Sequence, residues 1–415
     1  MNNYIIKILE KFSAISLGIL PLGLIIGTGV SEGIIIIINI LILIILTFKK
    51  NYLLLKEKQI IYLIIIWLYL LLNFITSNNP ELSFSRSIFF FRYILLILAI
   101  CYIFKNIQYQ KIIFTTWSFI IVVVTFDIYY EFFFKKNILG YTSPDHTRIV
   151  SFMKDELRIG GFLFGFFLFV VNFWNSFLIK EKKSFLIRAG IYFMETLIFV
   201  GILLTGERAN SLKAVLCCVF ILCLVKLKNK LILILFILFA PLIIFYSSKD
   251  INQRYKSTFV NLIDQNRFIY NTHHGAHYDA AISIFLQSPI LGAGIKNFRS
   301  ECSKNEYSND KFTKTGMRCS THPHQIYLEI LAELGLVGFF LIFSFIFINI
   351  YKAIKIYLIN QNLVLLSSVS YLLGSLVPLI PSGSFFSSFN ATIIWINIGI
   401  MTSFIINKKK LNLNK

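Results

Sequence analysis

Charged side chains are scarce in this sequence of 415 residues and make up only 14% of it. Acidic residues are the rarer kind, with 20 Asp and Glu against 40 Lys and Arg. Hydrophobic residues reach 57% and form long runs such as GIIIIINILILIIL. This shortage of charge excludes a soluble domain built around one core, because such a domain needs a polar surface.

The long apolar runs predict helices that cross a membrane. A hydrocarbon core of about 30 Å takes about 20 apolar residues as helix, and backbone groups inside it must pair within the segment. The sequence therefore predicts an all-α, polytopic membrane protein, with residues 1–415 as a single transmembrane domain. The first segment has no small-residue cleavage site and is followed at once by another, so we expect no cleavable signal peptide. About twelve segments qualify, at roughly 12–29, 32–48, 59–76, 88–104, 112–130, 159–179, 187–204, 209–226, 231–247, 326–351, 363–380 and 384–406.

The formal net charge of +20 is large enough to suggest nucleic acid as a partner, but the distribution of the charge argues against it. With a cytoplasmic N-terminus, about half of the basic residues fall in alternate, cytoplasmic connections. This alternation is the positive-inside rule, whereas an RNA-binding tail forms one block. Both termini are therefore predicted in the cytoplasm. Two outer connections are long, at about 131–158 and 248–325, and the short outer turns near residues 30 and 382 have no basic residue.

Four of the six cysteines lie in predicted spans, where they are explained as small apolar packing residues. Cys302 and Cys319 both lie in the large outer loop. An oxidising compartment permits a disulfide there, with a gain of roughly 3 kcal/mol in the chain-entropy model. Two free thiols are the alternative.

All six histidines lie outside the predicted spans, and this topology places all of them on the outer side. Such a concentration of titratable groups suits a site that opens outward. In the stretch CSTHPHQIYLEILAELGLVGF, Pro323 fits the first turn of a helix. We then expect Thr321 or His322 to cap that helix.

Two carboxylates follow inside the same helix, at Glu329 and Glu333, on one face with Gln325. A carboxylate at this depth usually faces a cavity or a partner. A solvated face just above the membrane is the alternative for both residues.

Arginines occur at two unusual places. Arg208 opens the eighth span directly after Gly206, although a helix N-terminus favours anions. It requires an anionic partner, which is Glu207, another carboxylate or a bound phosphate, or else it snorkels to the interface. Arg92 lies about a turn and a half inside the fourth span, where arginine either has a function or snorkels.

Two further polar segments are predicted on the outer side of the membrane. In RIVSFMKDELRIGGFL, Glu156 stands beside Arg158 just before two glycines that permit close helix approach, and ordinary membrane-edge polarity is the alternative. In HHGAHYDAAISIFLQSPILGAGIKNFR, the apolar spacing predicts an interfacial helix that ends at Ser288-Pro289. The following GAG is a tight turn and not a phosphate loop, because no GK[ST] follows. Basic groups and histidines on one face suggest a polyanionic, lipid-linked substrate, and a pyrophosphate would satisfy Arg208 and Arg92 together.

Four of these stretches, in this order, resemble the O-antigen ligase and O-antigen polymerase family. FMKDELRIGGFL, LTGERAN, AAISIFLQSPILGAGIKNF and HPHQIYLEILAELGLVGF are each similar to a family segment. The resemblance covers most of residues 148–345 and includes the large periplasmic loop at 248–325. It implies a GT-C-like fold of about twelve spans in the bacterial inner membrane. It also implies metal-independent transfer of a glycan from undecaprenyl pyrophosphate to an acceptor hydroxyl, on lipid A-core or on a growing glycan, without a cofactor.

The resemblance also assigns roles to single residues. It implies that His324 is the general base and that Arg208 engages the pyrophosphate, with His322 and Gln325 as neighbours. Gln325 stands where the family usually has asparagine. Many members have an arginine before the AAISIF segment. Here either a histidine such as His277 replaces it, or Arg267 or Arg299 does. The remaining substrate-binding predictions are Arg92, Glu156, Arg158 and Glu329, of which the carboxylates are expected to orient His324 or the arginines.

Three other functions fit parts of the sequence. A lipid-linked oligosaccharide flippase or transporter should show two similar halves, and no convincing internal repeat is present. A zinc site is suggested by His322 and His324 together with His273, His274 or His277, but no Cys or carboxylate spacing completes a standard pattern. A non-catalytic scaffold or sensor would not need the histidines and arginines to converge.

Overall fold

The computed structural model describes residues 3–50, 52–180, 184–225, 273–307, 318–378 and 380–413, together with a few single positions between 237 and 256. These residues form helices and contain no strand, which confirms the all-α prediction. The helices are α1 (Asn3–Ile26), α2 (Thr28–Lys49), α3 (Lys58–Ile75), α4 (Pro80–Ile88), α5 (Phe91–Ile103), α6 (Ile107–Phe134), α7 (Ile159–Lys180), α8 (Phe185–Leu204), α9 (Arg208–Leu224), α10 (His273–Gln287), α11 (Phe298–Glu301), α12 (Ile326–Asn360), α13 (Leu363–Ser375) and α14 (Ser388–Leu413).

Nine segments of the described chain are long and apolar enough to cross a membrane, with α4 and α5 counted together as one. Two more predicted spans are present as shorter helices, α9 and α13, of 17 and 13 residues. The predicted span at 231–247 lies outside the described residues. The chain is therefore a multi-pass membrane protein, in agreement with its apolar composition.

The last helix, α14, lies at the centre of the bundle. It packs against α5, α12 and α13, and α13 in turn packs against α7 and α9. Trp395 of α14 is fully buried and contacts Phe90 and Phe385 edge-on. Because α14 contacts both halves of the chain, the loop that precedes it is held against several elements at once.

Helix α12 has 35 residues and is broken at Gly335, whose φ is 62° and ψ is −168°. A straight helix of this length would extend about 52 Å, well beyond the hydrocarbon core of about 30 Å. A Cβ on Gly335 would lie 2.4 Å from the Ile290 carbonyl oxygen, so only glycine fits this position. The break turns the first nine residues of α12 toward the outer loop.

The loop after α10 fills the gap that this break opens. Two loop N–H groups donate to α12 carbonyls before the break, and two α12 N–H groups after it donate back to the loop, so the groups freed by the break are paired. Gly292 and Gly294 have φ values of 75° and 109°, which confirms the predicted tight turn. The four bonds are Ala293 N to Ala332 O, Gly294 N to Glu333 O, Leu336 N to Pro289 O and Val337 N to Ile290 O, at 2.8–3.2 Å.

Candidate active site

Four histidines meet at one end of the bundle. His274 and His277 lie one turn apart on α10, and His322 and His324 lie on the loop before α12. The His324 ring centroid is 4.1 Å from that of His322, 5.3 Å from that of His274 and 5.4 Å from that of His277. His324 is therefore the central member of what we call the histidine cluster.

The loop geometry around His324 differs from the sequence prediction. Pro323 is not in the first turn of α12, and neither Thr321 nor His322 caps it. The cap is Gln325, whose side-chain oxygen accepts from the Leu328 N–H at 2.7 Å. The prediction was wrong because His324 has a left-handed backbone, with φ of 58°, which a helix cannot contain.

Three contacts hold this loop in place. The Ser382 N–H donates to the His324 carbonyl at 2.8 Å, and the Ser320 hydroxyl lies 3.1 Å from His324 Nε2. Cys302 and Cys319 are joined by a disulfide in the structure, as the sequence suggested, with their Cα atoms 5.3 Å apart. The disulfide therefore connects the loop after α11 to the base of the cluster.

The environment of the cluster favours neutral imidazoles. Burial and the charges of its histidine neighbours lower the pKa of His324 to about 3, and burial followed by the same repulsion lowers the pKa of His277 to about 4. Burial and the positive charge of Lys296 lower the pKa of His322 to about 4. At neutral pH these rings are uncharged, and each has one unprotonated nitrogen that can act as a proton acceptor.

Arg208 reaches the same cluster from another helix. It is the first residue of α9, as predicted, and it follows Gly206, whose φ is 70°. Its charge acts on His274 and, after burial, contributes to lowering the pKa of that histidine. The tertiary structure therefore brings Arg208, His274 and His324 together, although they are distant in sequence.

The carboxylate of Glu207, one of the possible partners of Arg208, contacts groups on α7, α9 and the loop before α7. Its two carboxylate oxygens accept from the N–H groups of Gly160 and Gly161 at 2.8 and 3.1 Å. Asn210 donates to it at 2.6 Å, and Arg148 lies 3.8 Å away. Burial raises the pKa of Glu207, and the Arg148 charge and these hydrogen bonds oppose the rise. Glu207 thus caps the N-terminus of α7 and joins it to the start of α9.

Two other predicted residues lie at the edge of the same face. Glu156 and Arg158 form an ion pair in which both side chains are partly exposed. The Arg158 guanidinium also lies over the Phe389 ring, 4.9 Å from its centroid. This contact connects the start of α7 to the first turn of α14.

Arg92 has a close protein partner. Its Nε lies 2.8 Å from Glu32 Oε2, and its Nη2 donates to Glu32 Oε1 at 2.9 Å. It also lies over the ring of Tyr93. Arg92 therefore lies in the first turn of α5, paired with α2, and its role toward substrate stays a prediction.

Glu329 is fully buried, and its oxygens accept from the Ser384 hydroxyl at 2.5 Å and from the Phe385 N–H at 2.8 Å. The Lys296 ammonium donates to the same serine at 2.7 Å. Glu329 therefore orients Lys296 through Ser384, and we find no hydrogen bond to His324 in the described chain. Glu333 is also fully buried, and its Oε1 accepts from the Phe298 N–H at 3.4 Å.

Several residues in this region were missed by the sequence analysis: Lys296, Arg86 and the serines of the turn at 381–388. The signal was present as PSGSFFSS, a dense serine cluster between two apolar helices. The turn was interpreted only as a short outer connection without Lys or Arg. Among the predicted residues, Arg299 lies exposed on α11, and Arg267 lies outside the described residues. Within the described ranges, no group of three His, Cys, Asp or Glu has the geometry to hold a metal ion.

Residues 194–343 match the family profile described as O-antigen ligase. The match supports the O-antigen ligase/polymerase family for this chain. The matched residues include Arg208 and the whole histidine cluster. This family consists of membrane glycosyltransferases of the ligase or polymerase type, which implies a lipid-linked glycan and an acceptor as substrates. No curated protein matches the chain.

Proposed function

We propose that this chain transfers a glycan from undecaprenyl pyrophosphate to an acceptor hydroxyl on lipid A-core or on a growing glycan. It acts at the periplasmic face of the bacterial inner membrane, with both termini in the cytoplasm and without a metal ion. One observation carries this proposal. Arg208 and the four-histidine cluster lie together at one end of a membrane bundle, inside the residues that match the O-antigen ligase family.

In the proposed reaction, the donor lipid enters from the bilayer with its pyrophosphate at the outer interface. Arg208 neutralises the pyrophosphate and stabilises the negative charge that develops on it as it leaves. The electropositive N-terminus of α9, where Arg208 stands, favours the same anion. A pyrophosphate beside His274 would also offset the effect of the Arg208 charge, which lowers the pKa of that histidine.

The acceptor hydroxyl attacks the anomeric carbon, and the bond from that carbon to the pyrophosphate oxygen breaks. The electron pair leaves with the pyrophosphate, and the hydroxyl proton passes to a ring nitrogen of His324. The low pKa of His324 keeps this nitrogen free of a proton at neutral pH. The negative substrate opposes the neighbouring positive charges and makes the ring a stronger base once the substrate is bound.

The first experiment replaces the two central residues and measures transfer in membranes from a deletion strain. The substitution His324→Asn is preferred to alanine, because asparagine tolerates the left-handed backbone at this position. Arg208→Gln keeps the length of the side chain and removes its charge. His146→Ala, on the first outer loop, is the control. We expect the first two variants to lose transfer by at least about 100-fold, the usual contribution of a general base or charge stabiliser, with normal amounts of protein in the membrane.

Full activity of both variants would show that the site is assigned wrongly. Gel analysis of surface glycans in the deletion strain then separates the two acceptor classes. Polymer that remains on the carrier lipid indicates a ligase, whereas single-repeat products indicate a polymerase. If the protein were a flippase, its deletion would instead leave the lipid-linked glycan on the cytoplasmic side, where periplasmic enzymes cannot reach it.

A further inference from the structure

The turn between α13 and α14 is contacted by basic side chains from four different parts of the chain. We call residues 381–388 the serine turn. Its Phe385 and Phe386 pack into the hydrophobic core, whereas its serine hydroxyls and backbone carbonyls contact basic side chains. The basic contacts are Lys213 Nζ to Pro381 O at 3.1 Å, His322 Nε2 near Ser382 O at 3.3 Å, Lys296 Nζ to Ser384 Oγ at 2.7 Å and Arg86 Nη1 to Ser388 Oγ at 2.7 Å.

Three cations around this turn lack a close carboxylate. In the described ranges, Arg86, Lys296 and Arg299 form no ion pair within 4.0 Å, unlike Arg92 and Arg158. Glu329 and Glu333 face Lys296 and offset its charge, and burial still lowers the pKa of Lys296. Glu32 partly offsets the charge of Arg86, whereas Arg92 and Arg299 repel it. The half-buried position of Arg86 makes this repulsion costly, because water screens it poorly.

The first turn of α14 adds to the positive potential, since its backbone N–H groups lack partners within the helix. A phosphate or carboxylate between Arg86 and Arg299 would satisfy both guanidinium groups and this helix terminus. Arg299 is exposed and Gly383 of the serine turn is exposed, so the place is open to a ligand from outside. The arrangement has the features of an anion site, because basic side chains converge on it and, in the described ranges, none of Arg86, Lys296 and Arg299 has a carboxylate within ion-pair distance.

This group is separate from Arg208 in its contacts with the histidine cluster. Arg208 acts on His274, whereas Lys296 and Arg299 act on His322. Both histidines are direct neighbours of His324. In a single displacement, the attacking hydroxyl approaches the anomeric carbon from the face opposite to the leaving pyrophosphate. The donor and the acceptor therefore need different anchors around His324.

We propose that Arg86, Arg299, Lys296 and the serine turn form a second anion site, which binds a phosphate or carboxylate substituent of the acceptor. The inference depends on the proposed function, because it assigns the acceptor within the same site. It makes the acceptor an anionic glycan, anchored beside His322, while the donor pyrophosphate is anchored at Arg208.

The test uses the purified full-length protein in a transfer assay with either substrate varied. Arg299→Gln is the main variant, because a substitution at an exposed side chain is expected to change stability little, and Arg86→Gln is the second. Arg188→Gln, on the opposite end of α8 from the site, is the control. The acceptor is supplied intact and after phosphatase treatment. We expect each site variant to raise the KM for intact acceptor about tenfold, to leave the KM for donor unchanged and to remove the preference for phosphorylated acceptor.

A rise in the KM for donor, or equal use of both acceptors by the unmodified protein, would overturn the proposal. A separate titration with inorganic phosphate, followed by calorimetry in detergent, does not depend on transfer. We expect two phosphate sites, of which one is weakened about tenfold by Arg299→Gln and by Arg86→Gln, and only the other is weakened by Arg208→Gln. Phosphate binding that is absent, or unchanged in the two variants, refutes the anion site even if transfer is observed. The reverse result, with binding but no transfer, refutes the proposed function and leaves the anion site supported.

Discussion

The joint between α7 and α9 allows a sharp prediction about how the site is held together. An alanine Cβ at Gly160 would lie 2.7 Å from Thr205 Oγ1 and 2.9 Å from both Cβ and Cδ of Glu207. These atoms belong to Thr205 and Glu207, two buried residues of the turn that positions Arg208, so they have little room to move. The substitution Gly160→Ala must therefore push the two helix ends apart.

The size of the effect follows from two contributions. Overpacking a buried contact costs about 1–3 kcal/mol. Displacing Glu207 also weakens its two bonds to α7, and a hydrogen bond to a charged group contributes about 1.5–3 kcal/mol. Partial relaxation reduces the sum, so we expect about 2–4 kcal/mol of destabilisation in total. A destabilisation of about 2 kcal/mol makes unfolding about 30-fold faster when the substitution destabilises the folded state and not the transition state for unfolding.

Two further glycine substitutions provide a graded series. At Gly161 the nearest atom to a new Cβ is Asn210 Nδ2 at 3.2 Å, at the end of a flexible side chain, so Gly161→Ala should have a smaller effect. At Gly190, inside α8, no atom lies within 4 Å. Gly190→Ala is the matched control and should stabilise its helix by about 0.5–1 kcal/mol.

The assay is the half-life of monodisperse protein in detergent at a fixed elevated temperature, because membrane proteins usually unfold irreversibly. Transfer activity is measured on the same samples before heating. We expect the half-lives in the order Gly190→Ala, then Gly161→Ala, then Gly160→Ala, with activity lost only in the last. If Gly160→Ala were as long-lived and as active as Gly190→Ala, the carboxylate joint would not position the site.

Four other predictions follow from the described contacts. Because burial lowers the pKa of the clustered histidines, the unfolded chain binds more protons below about pH 6.5, and the protein should lose stability from pH 7.5 to 5.5; replacing His324 by Asn should reduce this dependence of the thermal half-life on pH, and an unchanged dependence would contradict the assignment. The acid limb of kcat/KM should also lie below the ordinary histidine value, and a limb at or above it would contradict a low-pKa base. The double substitution Cys302→Ser and Cys319→Ser should reduce stability by about 2–4 kcal/mol and lower transfer, since the bond holds the loop before His324; a variant with full activity and an unchanged half-life would rule out that role. Gly335→Ala should prevent accumulation of folded protein, because its φ is 62° and its Cβ would meet the Ile290 carbonyl, whereas Gly33→Ala, with no atom within 4 Å, should be tolerated; equal yields of monodisperse protein would contradict this account of the break.

Local patterns in the sequence were enough to predict most of the fold. Apolar runs predicted the helices because each span must pair its own backbone groups in lipid, which is a local requirement. The interfacial helix before Ser288-Pro289, the tight turn at GAG and the start of α9 at Arg208 were also predicted correctly, since proline and glycine act on their immediate neighbours. The disulfide between Cys302 and Cys319 followed from their shared position in the outer loop.

Predictions that depended on long-range contacts were wrong or absent. Glu207 was one of three possible anionic partners offered for Arg208, but the contact of its carboxylate with the N–H groups of Gly160 and Gly161, more than 40 residues earlier in the chain, was not predicted. The cap of α12 was placed too early, because the left-handed backbone of His324 has no local sequence signature and is held by Ser382. No local rule predicts either contact.

The sequence by itself determined that this chain crosses a membrane many times, and it predicted that the histidines share one face and that the outer loops form the site. Composition and spacing are sufficient for these conclusions, because lipid selects side chains and backbone pairing one segment at a time. Only the tertiary structure decided that the serine turn, Lys296 and Arg86 adjoin the histidine cluster. Their proximity arises from packing between α14, α12 and the loop after α10, and such packing depends on the shapes of several helices together.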